Sequence, residues 1–139
     1  SLHQVPVELM QKALEEVRRV LKPGGYAYIS EPVFAGDFNE ILRLFHDEQA
    51  VRKAAFDAIT TAVNNGLFDL ESEIFFNSPL GFESFAEFES STINATHSDH
   101  RLDDDLYQQV KSRFEQHLDE NGAHFLMPMR VDILRRPAQ

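Results

Sequence analysis

Between Val5 and Leu21 the apolar residues Val7, Met10, Leu14, Val17 and Leu21 recur at helical spacing, with Glu15, Glu16, Arg18 and Arg19 between them. This is the pattern of an amphipathic helix, and Pro6 suits its first turn, where a missing N–H is no loss. Lys22-Pro23-Gly24-Gly25 then combines a cation, a helix breaker and two permissive residues, which predicts a sharp stop. Tyr26 to Ser30 is β-prone and bounded by Gly25 and Pro32, so it reads as a short buried strand.

Further on, Asp37 is placed to cap a short helix whose apolar face is Phe38, Ile41, Leu42 and Phe45. A longer helix is predicted from Glu48 to Asn65, with Ala50, Ala54, Ala58 and Ala62 four apart for close packing on a flat surface. Leu67 to Asn77 reads as a strand that ends at Pro79-Leu80-Gly81, and Phe82, Phe85 and Phe88, extended by Ile93, mark another short helical face. Asp103 to Leu118 is a helix with an acidic start, ended by Asn121-Gly122. Ala123 to Arg135 is a final strand with Phe125, Met127, Met129, Val131 and Ile133 on one side. Helix, strand, helices, strand, helices, strand is an α/β order with an incomplete beginning, in one domain over 1–139.

Composition narrows the class of function. The formal charge of −10 from 13 Lys plus Arg against 23 Asp plus Glu repels a phosphate backbone, so no nucleic-acid partner is expected. No apolar run reaches the length of about 18 residues that a membrane span needs. The absence of cysteine removes disulfides and thiolate metal sites, and a cytoplasmic setting is expected. Phe, with 12 copies against no Trp, has to fill an interior or line a pocket.

The run Ala13 to Gly25, ending Arg18-Arg19-Val20-Leu21-Lys22-Pro23-Gly24-Gly25 and followed by Tyr26-Ala27-Tyr28-Ile29-Ser30-Glu31-Pro32, resembles the stretch between the fourth and fifth strands of class I S-adenosylmethionine-dependent methyltransferases. The resemblance implies the C-terminal half of a Rossmann-like methyltransferase sheet. Tyr26 to Ser30 would be its fifth strand, Leu67 to Asn77 its sixth and Ala123 to Arg135 its antiparallel seventh, with 78–122 a helical insertion covering the acceptor side. Ser1-Leu2-His3 would be the end of the fourth strand. The glycine-rich turn after strand one and the acidic residue after strand two, which hold the cofactor in that family, have no counterpart here. Gly24-Gly25 is no substitute, because it lies between helix and strand without G-x-G-x-x-G spacing. This chain alone is therefore expected to bind S-adenosylmethionine weakly or not at all, and to work with a missing N-terminal half of the same protein.

Ligands of open α/β sheets bind beyond the carboxyl ends of the strands, which points to His3 and Glu31 as catalytic candidates. The resemblance assigns Ser1, Leu2 and His3 to the cofactor's flank. Pro32, Phe34, Phe38, His97 and His100 are placed around a small-molecule acceptor, with His3 the candidate base. His97, Asp99 and His100 carry usual metal-ligating groups, yet no helical i, i+4 pair supports a cage, so they read as a polar loop and no metal is assigned. A strand deprived of its neighbours leaves an open edge, so the piece is expected to self-associate as a homodimer. The competing reading is a non-catalytic binding or dimerisation module derived from the same fold.

Overall fold

A computed structural model of the chain describes residues 1–94 and 102–139. It is an α/β structure in which helices accompany an open four-stranded sheet of order β1-β4-β2, with a short β3 added to β4. The elements are α1 (Met10–Val20), β1 (Tyr26–Pro32), α2 (Asp37–Leu42), α3 (Gln49–Asn64) and β2 (Asp69–Phe82). They are followed by α4 (Phe85–Phe88) with a π turn (Glu89–Ile93), α5 (Asp104–Glu115), β3 (Leu118–Asp119) and β4 (Gly122–Arg135). The chain divides into two compact units: 1–34, 48–76 and 128–139 form one, and 35–47 with 77–127 the other.

In the first unit β1 pairs antiparallel with β4, from Tyr26 opposite Arg135 to Pro32 opposite Met129. Met10 and Leu14 of α1, and Ala55, Ala58, Ile59 and Ala62 of α3, form a core with Phe68 and Leu134. The turn after α1 is fixed from both sides. Gly24 takes φ 80°, and a Cβ on Gly25 would come within 2.9 Å of the Lys22 carbonyl oxygen, so both positions favour glycine. Arg136 caps the helix end, donating to the carbonyl oxygens of Arg18 at 3.1 Å and Leu21 at 2.5 Å. β1 is an edge strand, and its Tyr26 and Tyr28 are 54% and 74% exposed.

The second unit is held by aromatic rings. Phe114 of α5 stacks on Phe88 at 4.8 Å between centroids and meets Phe82, Phe85 and Phe125 edge-on or tilted. Asp103 caps α5 by accepting the Leu106 N–H at 2.8 Å, and Ser84 caps α4 by accepting the Glu87 N–H at 3.2 Å.

Several expectations are corrected. Ser1-Leu2-His3 is not the end of a strand, because Leu2–Gln4 is a 3-10 turn in a Ser1/Gln4 capping box. Pro79-Leu80-Gly81 does not end β2, which runs on to Phe82. β2 lies at the sheet edge, where a proline's missing donor is tolerated. Phe82 accordingly belongs to a strand and not to a helical face. Asn121-Gly122 does not close α5; Glu120 and Asn121 join β3 to β4, with Gly122 at φ 99°. The buried side of β4 also changes phase, from Ala123 and Phe125 in the second unit to Asp132 and Leu134 in the first.

Candidate functional site

The carboxyl end of β1 delivers Glu31 into the interior of the first unit, where its side chain is 2% exposed. It does not point to solvent. Oε1 accepts the backbone N–H of Leu2 at 2.5 Å and that of His3 at 3.3 Å, while Oε2 lies 2.6 Å from His3 Nδ1. A carboxylate at Nδ1 is satisfied by the Nδ1–H tautomer, which leaves Nε2 as the basic nitrogen. Nε2 faces Glu48 Oε2 at 3.6 Å, beyond hydrogen-bond reach. Glu48 Oε1 in turn accepts from Arg52 at 2.9 Å, and Arg52 donates to the Val33 carbonyl oxygen at 3.3 Å.

The arrangement is a row of polar side chains, Glu31, His3, Glu48, Arg52, anchored by β1 at one end and the first turns of α3 at the other. Chemically it is an imidazole oriented by one carboxylate and backed by a second, the geometry of a held general base. Sequence reading singled out His3 and Glu31 and missed Glu48 and Arg52. Their i, i+4 spacing at a helix start was the available signal.

The other candidates are placed as follows. Ser1 and Leu2 border an apolar groove of about 420 Å³ whose other walls include Ala13, Leu14 and Val17 of α1 and Tyr28 to Ser30 of β1. Ser1 Oγ donates to the Ser30 carbonyl oxygen at 3.2 Å, and the Leu2 side chain is buried in the core. Pro32 ends β1 opposite Met129, and Phe34 is half-buried just beyond it. Phe38 belongs to the aromatic core of the second unit, 5.5 Å from Phe125 and 6.0 Å from Phe82. His97 and His100, with Asp99, lie outside the described residues.

The residues at the start of the chain do not by themselves fit S-adenosylmethionine. The Leu2 amide is taken by Glu31, the Leu2 side chain is packed inward, and the imidazole of His3 is directed between two carboxylates. Among the described residues no helix is long and apolar enough to cross a membrane. Set against models of known protein families and against curated proteins, the chain matches none.

Proposed function

We propose that this chain is the acceptor-side, C-terminal part of a class I methyltransferase fold, which moves a methyl group from S-adenosylmethionine to a small-molecule acceptor when joined to its missing N-terminal half. The observation that carries the reading is one contiguous unit. Helix α1, a Lys22-Pro23-Gly24-Gly25 turn clamped by Arg136, and strand β1 follow in the order the resemblance demands, and the last strand runs antiparallel beside β1. The edge position of β1 supports it too, since a fifth strand lacking its fourth has one side open.

S-adenosylmethionine supplies an electrophilic methyl group, and its binding site belongs to the missing half. The share of this chain is on the acceptor side. Glu31 fixes the His3 ring, and Nε2 is the atom that would take up the acceptor's proton. The test is transfer of a radiolabelled methyl group by the protein translated from the whole open reading frame into a small-molecule extract. Labelled product that falls sharply in His3→Ala supports the reading; no product with cofactor bound counts against it.

A second reading, a non-catalytic dimerisation module, is favoured by the exposed Tyr26 and Tyr28 on the edge strand β1. Association of the isolated chain is compatible with both readings, whereas a full-length protein that neither binds cofactor nor transfers methyl groups leaves only the second.

A further inference from the structure

A second, smaller cleft of about 180 Å³ lies in the first unit between α3 and the sheet. Phe56, Ile59 and Val63 of α3 and Leu70 of β2 make its apolar walls, and Glu73 and Asp132 make its acidic end. Asp132 is 0% exposed, on β4 opposite Ile29. Its Oδ2 accepts from Arg130 Nε at 3.1 Å, and the Arg130 guanidinium lies over the Phe56 ring at 4.3 Å. Its buried Oδ1 has no donor among the described residues. A buried carboxylate oxygen without a donor is costly, so something has to meet it.

Glu73 lies with Asp132 at the acidic end of the cleft. Its pKa is raised, first by a hydrogen bond to Asp132, then by burial and by the charge of Asp132, against a lowering by Arg130. Two carboxylates so close together repel each other unless a proton or a cation lies between them. A proton offers a single bridge. An ammonium group offers three donors to the same oxygens, and Thr60 and Asn64 at the cleft wall add further oxygen atoms.

We propose that this cleft binds a small primary amine as its ammonium ion, with N–H groups on Asp132 Oδ1 and the Glu73 carboxylate and an alkyl or aryl body against Phe56, Ile59, Val63 and Leu70. A metal ion fits the walls poorly. Calcium takes about six to eight oxygen ligands, whereas the sides of this cleft are hydrocarbon and the Arg130 cation adjoins Asp132. The volume is below the roughly 300–1,000 Å³ of sites for drug-sized molecules, which limits the ligand to a few heavy atoms. The site stands whether or not the methyltransferase reading holds.

The test is calorimetric titration of n-butylammonium chloride into this chain at neutral pH, with n-butanol and sodium chloride as controls. The expected result is saturable binding in roughly the millimolar range and no saturable binding of either control. Glu73→Gln, at an exposed edge position, and Asp132→Asn should each weaken binding about tenfold or more. If Asp132→Asn does not fold, Glu73→Gln decides alone. No saturation by about 50 mM n-butylammonium, equal binding of n-butanol, or unchanged affinity in the Glu73→Gln protein would overturn the proposal.

Discussion

Replacing Glu31 with alanine removes the acceptor shared by the Leu2 amide, the His3 amide and the His3 ring. A hydrogen bond to a charged group contributes about 1.5–3 kcal/mol net, but bonds converging on one carboxylate do not add in full. Leaving the Leu2 N–H buried and unpaired is costly, so the N-terminal turn is expected to peel away, which forfeits about 2 kcal/mol of Leu2 burial. The freed residues regain about 1–2 kcal/mol each of backbone entropy, which offsets part of the loss. The net destabilisation expected is about 3 kcal/mol. Urea unfolding monitored by circular dichroism measures it, and faster amide exchange at Leu2 and His3 shows where it originates.

Glu31→Gln separates shape from charge. The amide oxygen can still accept both backbone N–H groups, so stability should fall by only about 1 kcal/mol. The amide NH₂ now faces Nδ1, however, and drives the ring to the opposite tautomer, which nitrogen NMR of His3 detects. A Glu31→Ala protein within about 0.5 kcal/mol of the parent, with unchanged exchange at Leu2, would refute the account of this site.

Other expectations follow from the same structure. Phe114→Ala removes a fully buried ring from the centre of the aromatic cluster and should cost about 4 kcal/mol, read from the denaturation midpoint. Glu73 has a pKa raised from 4.5, so between the unfolded value and the raised one the native state keeps a proton that the unfolded chain releases. The stability associated with it is present below the unfolded value and is lost as pH rises through the raised one. Glu73→Gln should remove that loss, so its stability relative to the parent should increase with pH in denaturation series run upward from acid. Sedimentation at high concentration should show self-association through the β1 edge, and a Tyr28→Lys change should reduce it; a strictly monomeric parent chain contradicts this.

The elements with a local signal were legible in the sequence. The periodicity of Met10, Leu14 and Val17 and the Lys22-Pro23-Gly24-Gly25 stop located α1 and β1, and Asp103 marked the start of α5 within a residue. What failed depends on neighbours distant in sequence. Pro79 looks like a breaker until β2 is known to lie at a sheet edge. Asn121-Gly122 serves a helix end and a hairpin equally well, and only the pairing of Leu118 with Ala123 decides. Of the candidate site, His3 and Glu31 were singled out by the strand-end rule, although His3 lies on a 3-10 turn and only Glu31 is on a strand. Their direct contact was not, because it depends on a 3-10 turn folding back over the end of β1. Asp132 was overlooked because the alternation of β4 was read as one unbroken stripe from Phe125 to Ile133, whereas the buried positions shift to Asp132 and Leu134 at its end.

The most direct measurement is calorimetric titration of S-adenosylmethionine into this chain and, in parallel, into the protein translated from its whole open reading frame. The account predicts saturable binding by the longer protein and little or none by this chain. Binding by neither removes the methyltransferase reading, and tight binding by this chain alone contradicts the assignment of the cofactor site to the missing half.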